Sequence, residues 1–131
     1  MNLSNLNIDI INKGASKKEL YEVEQEMNCA LPAVYTNLLQ HVNGFLTDEG
    51  VLIYGTQELV ERNLTYEVSE YASGYVAIGD DSGGTVFLML QGKESIQLIT
   101  VDVGDMNPTN GIVLSSDLYE WITVGCPLPE W

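Results

Sequence analysis

Positive charge is what this chain has least of. Five lysines and arginines stand against nineteen aspartates and glutamates in 131 residues, giving a formal charge of −14. A protein that grips nucleic acid directly needs cations against phosphate, and five scattered ones form no stripe. The same shortage disfavours attachment to an anionic membrane. Cysteine is scarce too. Cys29 and Cys126 are far apart, which points to reduced thiols, and with one histidine they cannot make a zinc site unaided. No apolar run approaches the roughly 20 residues of a membrane span. Met1-Asn2-Leu3-Ser4-Asn5 lacks the basic stretch and apolar core of a signal peptide. The expected location is cytoplasmic.

What is present suits a single domain over residues 1–131. Hydrophobic residues make up 45% and charged residues 18%, an ordinary globular composition. Folding a chain of this size removes about two thirds of its extended surface from water, enough for a core without staples.

Residues 3–12 fit two patterns: Leu3, Leu6 and Ile10 share a helical face, and Leu6, Ile8 and Ile10 alternate as in a strand. The helix is the reading adopted. Ser16 with Glu19 makes a capping box that opens a helix lined by Leu20, Val23 and Met27. Leu31-Pro32 starts the next, whose apolar residues Leu31, Val34, Tyr35, Leu38, Leu39 and Val42 keep a helical period. Gly44 is expected to end it. Strands follow at 51–54, 75–78, 86–90 and 96–101, with a small one at 112–114. Thr56 caps a helix to about 63 and Ser116 a last one from 117 to about 124. The predicted class is α+β, a mainly antiparallel central sheet of about 4–6 strands flanked by helices. Its order is α-α-α-β-α-β-β-β-(β)-α.

Candidate chemistry is sparse. Gly79-Asp80-Asp81-Ser82-Gly83-Gly84-Thr85 sits between two strands. It is no phosphate loop, because no lysine follows the glycines and two carboxylates repel phosphate. With Asp102 and Asp105 it could offer oxygens to calcium or magnesium, but the spacing is not that of an EF-hand. A β-turn whose aspartates satisfy backbone N–H groups is the simpler reading. His41, the one histidine, has no nucleophile motif to serve and reads as a helix-end residue. Glu58 and Glu61 lie three apart on a predicted helix and read as a solvated face, not a glycosidase pair. Trp121 reads as core. Tyr119 and Trp131 could anchor a partner, and Trp131, behind Pro127 and Pro129, is the better interface candidate.

Gly14-Ala15-Ser16, Glu19-Leu20, Leu31-Pro32, Tyr35, Leu38-Leu39 and Asn43-Gly44 together resemble the opening of the SUKH superfamily. Ile78-Gly79-Asp80-Asp81-Ser82-Gly83-Gly84 resembles its central strand-turn element, and residues 116–122 are similar to its closing helix. The resemblance spans roughly 14–124 in the right order. It implies an α+β fold and a non-enzymatic binding role. Bacterial members are typically immunity proteins encoded beside polymorphic toxins, many of them nucleases, and yeast relatives regulate cell-wall synthesis. This compact chain looks more like the bacterial kind. No catalytic set, cofactor or metal is carried over.

The leading expectation is an immunity protein that neutralises a cognate, basic toxin, most readily a nuclease, as a monomer or weak dimer. Long-range attraction would speed its encounter with such a partner. The expected partner-binding residues are exposed loop acids: Asp48, Glu49, Glu58, Glu61, Asp80 and Asp81. Lysine at 80 and 81 is expected to weaken binding without unfolding the protein. An intracellular adaptor that inhibits no toxin is the alternative, and a small metal-dependent hydrolase the third reading.

Overall fold

The computed structural model describes residues 3–4 and 8–129, with 8–11 described by backbone alone. Within the described residues seven strands form one sheet in sequence order: β1 (Ile8–Lys13), β2 (Val42–Thr47), β3 (Leu52–Ile53), β4 (Tyr75–Asp80), β5 (Thr85–Leu90), β6 (Leu98–Asp102) and β7 (Ile112–Ser115). Every neighbouring pair is antiparallel, so the sheet is an open meander. Among the described residues five α-helices accompany it: α1 (Lys17–Met27), α2 (Ala33–His41), α3 (Leu59–Thr65), α4 (Val68–Tyr71) and α5 (Leu118–Thr123). The α+β class with a mainly antiparallel sheet is as expected, and the strand count and order differ.

Residues 8–13 form a strand, not the end of a helix, because β2 supplies a pairing partner. That partner was concealed. Val42 fits the apolar period of α2, yet its backbone is already extended, at φ −148°, and the chain runs from helix into β2 without a break. Gly44 therefore does not stop α2. It sits inside β2 at φ +84°, where a Cβ would lie 2.6 Å from the Gly55 nitrogen. A side chain there would meet both steric and conformational cost. The predicted opening of three helices becomes β1-α1-α2-β2.

The box at Ser16 is present: its Oγ accepts from the Glu19 N–H and Glu19 Oε1 accepts from the Ser16 N–H, each at 3.1 Å. Asn28 ends α1 in the left-handed region. Two predicted caps move. Thr56 does not cap α3; its N–H donates to Asn43 Oδ1 and its Oγ1 accepts from Asn43 Nδ2, both at 2.8 Å, holding a turn three residues ahead of the helix. Asp117, not Ser116, caps α5, its Oδ1 accepting from the Tyr119 N–H at 2.9 Å. Helix α4 is an addition, set off from α3 by Glu67 in the left-handed region. Strand β3 is two residues long, shorter than predicted, although the Tyr54 N–H still donates to Ile78 C=O at 2.8 Å.

The central strands are buried residue after residue: Val76–Asp80, Val86–Met89 and 98–101. Both faces of the sheet's middle are therefore covered. Helices α3 and α4 lie against β4, α2 against β2, and α5 against β7 and α2. Trp121 meets Phe87 edge to face, with ring centroids 5.5 Å apart, and is core as expected. The β5–β6 loop is pinned to the α1–α2 connector, the Gly92 N–H donating to Ala30 C=O at 2.7 Å.

Asn63 fills a gap in this sheet. Strand β3 pairs with Asp80 and Gly79 but stops short of Ala77. There the Asn63 side chain takes the missing strand's place. Its Oδ1 accepts from the Ala77 N–H and its Nδ2 donates to Ala77 C=O, each at 2.9 Å. A second bond from Nδ2 goes to Leu59 C=O at 2.9 Å. One buried amide thus anchors α3 to the sheet and satisfies both backbone groups of a buried residue.

Candidate functional site

The end of the sheet formed by the close of β4 and the start of β5 carries the predicted acidic turn. Asp80 is buried there. Its Oδ2 accepts from the Tyr54 hydroxyl at 2.6 Å and the Tyr66 hydroxyl at 3.4 Å, and its Oδ1 accepts from the Ser82 N–H at 2.9 Å. The Tyr35 hydroxyl donates to Tyr54 C=O behind it. Asp81 Oδ1 accepts from the N–H groups of Gly83 and Thr85 at 2.8 and 3.0 Å. Both aspartates thus satisfy backbone N–H groups of the turn, as the β-turn reading supposes, and Asp80 alone also joins the core through the two tyrosines. The expectation that Asp80 is an exposed loop acid is corrected, since Tyr54 from β3's end and Tyr66 from α3's end close over it. Gly79 is a requirement of the same packing: a Cβ there would lie 2.3 Å from the Leu52 carbonyl oxygen.

Two buried phenols and one buried thiol are expected to make the fold less stable at alkaline pH. Burial, then the Asp80 hydrogen bond, raises the Tyr54 pKa. Burial, then Glu58, raises that of Tyr35. Burial, then Glu49, pushes Cys126 up to about 12. In the unfolded chain these groups lose protons near their ordinary values, about 8.5 for the thiol and 10 for the phenols. The folded state then retains protons that the unfolded state has shed. Stability is therefore full below about pH 8.5 and falls above it, by up to about 1.4 kcal/mol per pH unit for each group. Urea midpoints measured up the alkaline range should fall steadily, and Tyr54→Phe should flatten the upper part of that fall. A midpoint unchanged through about pH 11 would contradict this burial.

The other predicted acids are dispersed. Asp48 and Glu49 are exposed on the β2–β3 turn. That turn touches the Asp80–Gly84 turn through the Ser82 hydroxyl, which donates to Gly50 C=O at 2.7 Å, so Asp48, Glu49 and Asp81 share one end of the sheet. Glu58 turns inward, its Oε2 accepting from the Gly55 N–H at 2.8 Å, and lines a separate hollow with Lys13 and Glu19. Glu61 is exposed and pairs with Arg62, Oε2 to Nε 3.5 Å. The pair is weak by exposure. Burial disfavours the Arg62 charge, but Tyr66, Tyr54, Glu61 and Asp80 around it outweigh that and raise its pKa. His41 is exposed at the end of α2, its Nδ1 2.9 Å from Asn37 C=O. Tyr119 is exposed, and Trp131 lies outside the described residues.

One concavity begins at Tyr66. A groove of about 540 Å³ runs between the α3–α4 junction and the segment after β6. Thr65, Tyr66, Glu67, Glu70 and Tyr71 line one wall, and residues 103–107 the other. Three carboxylates, Glu67, Glu70 and Asp105, and two tyrosines stand in it, with no lysine or arginine among its walls. A second groove, reached across Tyr66 and Val103, contains Arg62, Asp80 and Ser82. Glu67 holds φ +52°, an unfavourable conformation for a residue with a side chain, at the bend that sets Tyr66 and Glu67 on the groove. Sequence reasoning missed Glu67 and Glu70 because α4 was unread, and met Asp105 only as a possible cation ligand. Asp105 is instead bound to its own loop, Oδ2 accepting from Asn110 Nδ2 at 2.9 Å. Among the described residues no three His, Cys, Asp or Glu are placed to hold a metal ion, both cysteines are free, and no helix is long and apolar enough to cross a membrane.

The fold and groove define a helix-flanked antiparallel meander with an acidic, tyrosine-bearing hollow at one end. A model of the SMI1 / KNR4 family (SUKH-1) matches residues 14–123, and the chain belongs to that family. Over 65 residues it is 32% identical to a Bacillus subtilis (strain 168) protein named "Uncharacterized protein YnaB". That match takes in 50% of this chain and 43% of the relative, less than half the relative's length.

Proposed function

We propose that this chain is an immunity protein, which binds a basic toxin and blocks its working surface. The observation that carries the reading is the groove at Tyr66, with three carboxylates and no cation among its walls. Family membership and the net charge of −14 support it. A lysine or arginine entering the groove would meet carboxylates and two tyrosine rings, whose faces attract cations. A nuclease suits this description best, since its nucleic-acid cleft is often basic and carboxylates can occupy phosphate positions there. Long-range attraction raises the association rate and packed contacts set residence time. Asp48, Glu49, Glu61 and Asp81 remain proposed as partner-facing acids; Asp80 and Glu58 act chiefly inside the fold.

The test is a matched pair of charge changes. Glu67→Gln with Glu70→Gln removes two charges from the groove, and Glu22→Gln with Glu94→Gln removes two exposed charges elsewhere. Against the cognate toxin at low salt, the groove pair is expected to weaken binding by about tenfold or more, and the remote pair by much less. Equal losses would mean that net charge acts without a groove. A captured partner whose toxicity is unaffected would favour the adaptor reading instead.

A further inference from the structure

The two edges of the sheet differ in a way that bears on how a partner docks. Strand β1 contains Asp9 and Lys13 and has two register breaks against β2. Charges and irregularities of that kind discourage another strand from adding. Strand β7 has neither charge nor proline. It reads Ile-Val-Leu-Ser, with Ile112 63% and Val113 55% exposed. Successive residues face opposite sides of a sheet, so both faces of the strand's start are open. Among the described residues β7 pairs with β6 alone, which leaves its outer row of backbone donors and acceptors without a neighbouring strand.

We propose that β7 is a docking edge, at which an extended, lysine- or arginine-bearing segment of a basic partner protein adds as a further strand. The proposal rests on the protein-binding reading above and names its mode. Backbone pairing would supply affinity, and side chains alternating along the added segment would cover Ile112 and Val113. Charge selects the occupant. Asp105 lies seven residues before β7 but is tied to its start by the bond from Asn110, two residues ahead of the strand, and Asp117 lies two residues after it, so a carboxylate is tied to each end of the strand. A second copy would bring these acids together with their like, on two chains of −14 each. A basic strand would be drawn to them.

The probe is a synthetic peptide, acetyl-Lys-Val-Thr-Val-Thr-Lys-amide, with acetyl-Lys-Val-Pro-Val-Pro-Lys-amide as a partner of equal charge that cannot pair as a strand. Amide NMR of the full chain should show saturable shifts centred on residues 111–116 with the first peptide, slower hydrogen exchange in β7, and no such response to the second. I112K/V113K should lower affinity by about tenfold or more. I112T/V113T keeps strand-forming side chains, and should lower it too if the lysine variant proves unstable. Equal response to both peptides, shifts scattered over the acidic surface, or affinity unchanged in folded variants would overturn the proposal. So would a free protein that is already a dimer with β7 protected, since the occupant would then be a second copy. Wild-type capture of a basic toxin that I112K/V113K captures equally would sink the edge and spare the protein-binding reading. Failure of the wild type to capture any partner would sink that reading itself.

Discussion

Asn63→Ala is expected to lower the free energy of unfolding by about 2–5 kcal/mol. The change removes both bonds to Ala77, on a strand whose residues at 76–80 are buried, and leaves an N–H and a C=O without the pairing that β3 is too short to give. Each orphaned buried group costs about 1–3 kcal/mol. Asn63→Asp is a sharper control. It keeps an acceptor for the Ala77 N–H but sets an oxygen against the carbonyls of Ala77 and Leu59, so it should fare no better than alanine. Urea denaturation followed by circular dichroism measures both. A loss below about 1 kcal/mol would mean that water or a shifted β3 replaces the amide.

Asp80→Lys should destabilise by about 3–5 kcal/mol, in the range for leaving an unpaired charge in the interior. The Tyr54 hydroxyl loses its acceptor and the ammonium would sit beside Arg62, which lines the same groove. Asp80→Asn keeps one acceptor oxygen and should lose less, about 1–3 kcal/mol. Asp81→Lys gives up two turn hydrogen bonds at a half-buried site and should cost about 1 kcal/mol each at most. The two aspartates, adjacent in sequence, thus separate into a core residue and a turn residue. Any loss of partner binding in the double lysine variant must be read against its folding, and Asp81→Lys alone reports on the surface. An Asp80→Lys protein with unchanged midpoint would contradict the buried network.

How much of this was legible follows from where the information lies. The α1 box, the period of α2 as far as Leu39 and the runs of β4, β5 and β6 are local patterns, and those elements formed close to where they were read, with β6 starting two residues later, at Leu98. Strand β1 and its partner β2 were illegible together, because each pattern is ambiguous alone and only their pairing decides it. Val42 is buried in either reading, so burial periodicity could not say whether it ends a helix or begins a strand. Helix α4 is four residues long and starts after a left-handed glutamate, which no periodicity reveals. The same holds at the site. Asp48 and Glu49 lie on a turn with its own local signal and are exposed as expected. Asp80 is covered by a tyrosine 26 residues away, and a turn motif says nothing of that. Glu67, Glu70 and Asp105 are unremarkable acids until the fold sets α4 opposite the segment after β6. Asn63 is an ordinary polar helix residue in sequence and a surrogate strand in the structure.

The central claim is that this acidic member of the SMI1 / KNR4 family disarms a basic toxin. Tagged protein would be exposed to lysate and secreted fractions of its own source, washed at low and then high salt, and the retained protein assayed for toxicity and nuclease activity with increasing amounts of the chain. The account predicts one basic protein that survives the high-salt wash and loses its activity as the complex saturates. Diffuse basic proteins that all wash away, or a retained partner whose activity is untouched at saturation, would contradict it.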